Sequence, residues 1–287
     1  MANRAYDRIT NKILELLDAG VIPWRQPWTG GGPVSLTTGR QYRGLNYLLL
    51  GCAPFASRYW LTFRQAKRLG GHVKRGVKGW PCVFWRRWHK DTGEVDPDTG
   101  EPVVKVIPIL RYYTVFNLEQ TDGVDAPLEP TTPRDHQPIK AAQRIITGMP
   151  NPPRIEHGGG RPCYDAITDS VLLPVPERFE SGEAYYSVAF HELAHSTGHR
   201  SRLARKEIGA SLFGSGSYGT EELVAEMGAA FLAGEAGISP AVIDNQAAYI
   251  DGWRRLIRRD RKAVVVAAAR AHKAADYILG RLAQPGA

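Results

Sequence analysis

Cysteine is scarce in this chain. Cys52, Cys82 and Cys163 are scattered over 287 residues, odd in number and never in CxxC spacing. That excludes a disulfide-stapled secreted scaffold and a cysteine-based zinc site, and it points to a reducing compartment, so the expected location is cytoplasmic. Long apolar runs are missing too. No stretch of about 18 apolar residues occurs, so no transmembrane helix is expected and the membrane is not an expected partner. The opening MANRAYDRITNKILELLDAG carries acids and reads as an amphipathic helix, not a signal peptide. The third absence is of negative charge. From Ala19 to Lys90 there are thirteen Lys or Arg and no Asp or Glu.

What is present is correspondingly lopsided. Residues 1–116 hold 18 basic and 8 acidic side chains, whereas the remainder is close to neutral, with 19 and 21. Such asymmetry marks two units with different partners. The acid-free stretch also holds six of the seven tryptophans, with Tyr42, Tyr47, Phe55, Tyr59, Phe63 and Phe84 interleaved. Cations track phosphates and flat rings stack on unpaired bases, so this mixture suits single-stranded nucleic acid better than duplex, which hides its base faces. In GGHVKRGVKGW, His72, Lys74, Arg75 and Lys78 stand among glycines, which let a backbone approach phosphate. Candidate DNA contacts are Trp24, Arg25, Trp28, Arg43, Asn46, Tyr59, Trp60, Arg64, Gln65, Lys67, Lys74, Arg75, Lys78 and Trp80. The competing reading is that several of these rings are core and the charges a solvated face.

The second half contains AFHELAHSTGH. His191 and His195 are four apart, about 40° around a helix axis, so both can point at one ion. Neutral imidazole is a good zinc ligand, and Glu192 beside the first histidine can act as base toward water at such an ion. The flank is apolar at Val188, Ala189, Leu193 and Ala194 and stops at Gly198, as a buried zincin helix should. Position 201 is Ser, so the third histidine of a metzincin is missing. The downstream YGTEELVAEMGAAFL offers Glu222 and Glu226 one turn apart. In the gluzincin arrangement Glu222 is the third ligand and Glu226 orients a ligand histidine; the reverse assignment stays open. Tyr218 is a candidate oxyanion donor, with Tyr185 and Tyr186 weaker ones. The expected ion is Zn2+, or another divalent metal such as Mn2+.

The periodicity predicts helices over 3–19, 62–71, 138–148, 220–236, 240–258 and 260–281, and strands in PCVFWRRW and VIPILRYYTVF around an acidic turn. YDAITDSVLLPVP reads as a strand pair or edge strand before the metal helix. EQTDGVDAPLEPTTPRDHQP, about 119–138, is the expected linker between a unit at 1–118 and one at 139–287. The expected fold is α+β throughout: a small α+β DNA-binding domain, then a zincin-like domain of gluzincin type.

Nearly the whole chain resembles the ArdC family of plasmid antirestriction proteins, related to the N-terminal part of TraC-type conjugative primases. The resemblance rests on PWRQPW, YRGLNYLLL, WLTFRQAKRLGGHVKRGVKG and YYTVFNLEQTDG, then on YYSVAFHELAHSTGHRSRLAR, EELVAEMGAAFL and AAYIDGWRRLIRRDRKAV. It implies an N-terminal single-stranded-DNA-binding domain, a C-terminal zincin-like metallopeptidase domain and protection of incoming plasmid DNA from restriction, with host restriction proteins as possible targets. Val77 stands where family members often carry an acid, which makes this copy more basic. The rival function is a DNA-shielding protein whose metal site is structural or vestigial. A two-metal nuclease is disfavoured because no carboxylate cluster appears.

Overall fold

The computed structural model describes residues 4–25, 32–95, 101–125, 127, 138–158, 161–205, 216–238 and 246–282. The first helix, α1, is Arg4–Asp18 and buries Ala5, Ile9, Ile13, Leu16 and Leu17 along one stripe. Gly20, at φ +76°, takes the left-handed turn that ends it. A four-stranded sheet follows in the order β1 (Val34–Ser35), β2 (Tyr59–Leu61), β5 (Pro102–Asn117), β4 (Trp80–Val95). Helix α2 (Leu45–Gly51) lies against β4, and α3 (Phe63–Arg68) begins with a capping box: Gln65 N donates to Thr62 Oγ1 at 3.3 Å, and the Gln65 side chain accepts from Thr62 N.

The strands β4 and β5 are longer than the sequence suggests. They form one antiparallel ribbon of 16 residues a side that runs into the acidic segment expected to be a turn. The predicted linker also starts later than 119. Asn117 caps a 3-10 turn at Leu118–Gln120, and β6 (Thr121–Asp122) pairs with β3 (His72–Val73). Residues 128–137 of that linker lie outside the described residues.

The second half starts at α4 (Pro138–Thr147). Three short strands, β7 (Arg154–His157), β8 (Cys163–Asp165) and β9 (Ser170–Leu173), form a sheet in the order β7-β9-β8. The expected strand pair is β8–β9, joined in antiparallel register with Tyr164 opposite Val171. Because β9 is central, β8 is an edge, and it lies on α5 (Gly182–Ser196). Helices α6 (Gly216–Ala236), α7 (Gln246–Arg259) and α8 (Ala263–Ile278) complete the unit.

The two halves share one apolar core. Its residues run from Ile9 and Trp60 in the first half to Phe190, Leu223 and Ile278 in the second. Trp24 meets Trp253 edge to face at 5.1 Å, and Tyr47 meets Phe231 at 5.8 Å. Thr10 Oγ1 donates to the Arg261 carbonyl at 2.8 Å.

Candidate metal centre

Helix α5 is set by its N-cap, Ser181, whose Oγ accepts from Ala184 N at 3.1 Å, and by Ala189, Phe190, Leu193 and Ala194, all buried. With those residues fixed inward, His191 and His195 project from the other side. Their Nε2 atoms lie 3.1 Å apart. The third partner comes from α6. Gly228 lets α5 and α6 come close: a Cβ there would stand 2.9 Å from Ala194 Cβ. The close approach brings Glu222 to the histidines, with Oε2 3.6 Å from His191 Nε2 and Oε1 3.5 Å from His195 Nε2. Ligands about 2.1 Å from a tetrahedral ion are separated by edges of about 3.4 Å. The separations here match that edge, so His191, His195 and Glu222 fit a divalent cation. They are the one group of three metal-ligating side chains found among the described residues.

Electrostatics at the site favour a cation. Burial opposes charge on His195, yet hydrogen bonds with Glu221 and Glu222 overcome it and raise its pKa to about 10. Burial likewise opposes charge on Glu222, but hydrogen bonds from His191 and His195 hold it well below the usual carboxylate range. The pocket stabilises positive charge where the ring nitrogens converge, and a bound metal supplies it there.

The residue behind His195 corrects the sequence reading. Glu221, not Glu226, is the buried carboxylate against the ring nitrogen that faces away from the triad, with Oε1 3.5 Å from Nδ1. Arg205 grips the same carboxylate through Nε and Nη2 and also donates to Thr197 Oγ1 and the Ala194 carbonyl. Burial raises the Glu221 pKa and the contacts to His195 and Arg205 lower it, with a net shift downward. Glu226 is half-buried one turn on and stands outside the cluster. Neither Glu221 nor Arg205 is marked by any local spacing in the sequence.

Glu192 is 7% exposed and is not among the three converging ligands. Its charge acts on His195 and on the exposed Cys163 of β8, whose thiol is pushed up by partial burial and then by Glu192 and Asp165. The edge strand packs on the helix that carries the candidate base. It is held there by Asp169, in the β8–β9 turn, which accepts from Tyr164 Oη at 2.8 Å and from Arg202, while Arg202 Nε also donates to the Ser196 carbonyl at the end of α5. The other two thiols, Cys52 and Cys82, are pushed up to about 12 by burial and are inert. Of the oxyanion candidates, the Tyr185 hydroxyl is 2.9 Å from His157 Nε2, and Tyr186 donates to Gln143 Oε1 at 2.7 Å. The Tyr218 side chain lies outside the described residues.

Several candidate DNA contacts serve the fold instead. Trp24, Trp60 and Trp80 are buried, at 1%, 1% and 8% exposure, and have no face free for a base. Arg43 reaches α8, where Nη2 donates to both Asp276 carboxylate oxygens at 2.8 and 2.6 Å. Asn46 exchanges two 2.8 Å hydrogen bonds with the Val83 backbone and so fixes β4. Gln65 is the capping residue described above. Lys74 pairs with Asp122 at 3.6 Å and donates to the Glu119 carbonyl. Tyr59 is half-buried in β2. Arg64, Lys67, Arg75 and Lys78 are exposed. The side chains of Arg25 and Trp28 lie outside the described residues.

Helix, edge strand and a His-His-Glu triad together define a zincin-like metallopeptidase domain, and residues 141–270 match the family model described as a zincin-like metallopeptidase. Residues 3–116 match the N-terminal domain of anti-restriction factor ArdC. The chain belongs to the ArdC antirestriction family. It is 33% identical to the uncharacterized protein y4eC of Sinorhizobium fredii, over 95% of this chain and 91% of that one. It is 36% identical to a DNA primase TraC of Escherichia coli over 96% of this chain, which spans 27% of that longer protein. Two crystal structures of the antirestriction ArdC protein from plasmid R388 share its fold. The metal-free form has TM-score 0.74 at 33% identity, covering 96% of this chain and 97% of that one. The Mn(II)-bound form has TM-score 0.72 at 32% identity, covering 97% and 98%. No helix among the described residues is long and apolar enough to cross a membrane.

Proposed function

We propose that this protein binds single-stranded DNA during plasmid conjugation and hydrolyses peptide bonds in host restriction-system proteins, acting in the cytoplasm with Zn2+ or Mn2+. The observation that carries the enzymatic half is the buried Glu192 carboxylate beside, but outside, the ligand triad. A structural zinc usually has four protein ligands and has no use for a base. A divalent cation on His191, His195 and Glu222 supplies Lewis acidity toward water and toward a scissile carbonyl. Glu192 takes the proton from the attacking water and passes it to the leaving amine nitrogen. Edge strand β8 offers its backbone to an extended peptide alongside Glu192. Support for the DNA half is the acid-free stretch, with Arg64, Lys67, Arg75 and Lys78 exposed, inside the segment that matches the ArdC N-terminal domain.

The test is Glu192→Gln, compared with wild type in metal content, DNA binding, cleavage of purified restriction subunits with and without single-stranded DNA, and protection of transferred DNA in cells. Metal and DNA binding are retained, because neither uses that carboxylate, while cleavage falls by orders of magnitude and protection falls with it. Protection that persists in the variant assigns the function to shielding of DNA and leaves the metal site as a fold support.

A further inference from the structure

The ribbon β4–β5 projects side chains that neither the core nor the metal centre uses. Residues directly opposite in an antiparallel pair share a face. One face carries Phe84 opposite Arg111, Arg86 opposite Ile109 and Trp88 opposite Ile107. The other carries Trp85 opposite Leu110 and Arg87 opposite Pro108. Phe84 is 44% exposed and Trp85 and Trp88 are each 50% exposed. Such large apolar groups are normally covered, and among the described residues neither indole has a ring partner. The cations between them, Arg86, Arg87 and Arg111, are exposed and have no ion-pair partner among the described residues. No Asp or Glu occurs in 80–90 or in 103–117, so this part of the ribbon contains no carboxylate to neutralise them.

We infer that a single-stranded nucleic acid wraps the β4–β5 ribbon, meeting Arg86, Trp88 and Arg111 on one face and Trp85 and Arg87 on the other; this rests on the DNA-binding half of the proposed function and gives it a place. The uncompensated cations call for a polyanion. The rings call for one whose bases are unpaired, since a duplex offers no free face for an exposed indole. Along β4, Phe84 and Trp88 stand about 13–14 Å apart with Arg86 between them, so rings and guanidinium groups alternate along the strand. The rings that sequence composition grouped together are thereby divided. Trp24, Trp60 and Trp80 hold the core, and Trp85 and Trp88 are left to the ligand.

The chain of 287 residues and a labelled oligothymidine, titrated by fluorescence anisotropy at several salt concentrations, test this. Trp85→Ala/Trp88→Ala should weaken binding by about tenfold or more, and Trp85→Phe/Trp88→Phe should restore most of it, because a phenyl ring also stacks. Arg86→Ala/Arg87→Ala should lower the slope of log affinity against log salt by about 0.7 per lost phosphate contact. All three variants should melt like wild type, since the replaced groups are exposed. Ribbon variants with wild-type binding, alongside loss in Arg64→Ala/Arg75→Ala, would overturn the ribbon as the site while leaving the DNA-binding reading intact. Absence of binding by the wild type overturns both. A second copy as the true occupant would appear as a dimer by light scattering that Trp85→Ala/Trp88→Ala dissociates, and it too overturns the inference.

Discussion

Glu221 holds His195 from behind: its Oε1 lies 3.5 Å from Nδ1, on the ring nitrogen turned away from the triad, and Arg205 clamps that carboxylate. A cation that replaces the proton at Nε2 would thus leave Nδ1–H directed at Glu221. Glu221→Gln should lower divalent-metal affinity by about 10–100-fold, and Arg205→Ala should act in the same direction through the same carboxylate. Glu222→Ala should cost more than either, and Glu226→Ala less. Competition titration with a chromogenic chelator ranks the four, and a Glu226 effect above that of Glu221 would reverse their roles.

Gly228 sets the spacing of α5 and α6. A methyl group there meets Ala194 Cβ at 2.9 Å, so Gly228→Ala should push the helices apart and destabilise the fold by about 1–3 kcal/mol. Metal affinity should fall as well, because Glu222 rides on the displaced helix. Adding Ala194→Gly should recover both, as measured by thermal melting and metal titration. A single variant that melts and binds metal like wild type would show that the helices are not in contact at this point.

The histidine pair and two candidate acids are legible in the sequence, but what supports them is not. HExxH is a local spacing that one helix converts into geometry, and Glu222 and Glu226, one turn apart downstream, leave the third partner open between them. Arg205 and Glu221 are sixteen residues apart and meet through a tertiary approach that no local period announces. The tryptophans failed for a related reason. Composition counts rings without saying which ones packing will cover, so Trp24 and Trp60 were grouped with Trp85. Helix α2 was missed because Leu45, Tyr47, Leu48, Leu49 and Leu50 are all buried, and an all-round apolar run of seven residues shows no 3.6 period. The long helices α6 and α8 lie near their expected limits, and α7 ends near its own, because their patterns extend over several turns; the expected start of α7 at 240 lies outside the described residues.

Asp169 ties the edge strand to the end of α5, and its pH dependence has a definite sign. Partial burial raises its pKa, but hydrogen bonds from Arg202 and Tyr164 outweigh that and leave it lowered. A lowered folded pKa gives stability that is present above the unfolded value of about 3.9 and is lost as pH falls through the folded value. Wild type should therefore melt above Asp169→Asn between pH 5 and 7, by less than about 1 kcal/mol because the carboxylate is partly solvated. The gap should close below about pH 4. A gap that persists unchanged as pH falls well below 4 would mean that packing, not charge, is what the variant loses.

Arg43 separates the DNA and structural readings of one residue. It is bound to Asp276 on α8, with its own side chain 62% exposed and its partner 13%. Arg43→Ala should lower stability by about 1 kcal/mol or less, yet leave both affinity for single strands and its salt slope as in wild type. A reduced salt slope would return Arg43 to the phosphate contacts.

The contact from Thr10 to the Arg261 carbonyl spans 251 residues, and the Trp24–Trp253 pair closes beside it. During synthesis α1 leaves the ribosome well before α7 exists, so its apolar stripe has no complete surface to rest on until α7 has been made. Loops of that length close slowly. The part of the α1 stripe that rests on α7, and the edge of Trp24 that meets Trp253, therefore stay uncovered until α7 has been made. Chaperone dependence in the cell should track the α1–α7 contact more closely than it tracks the metal site.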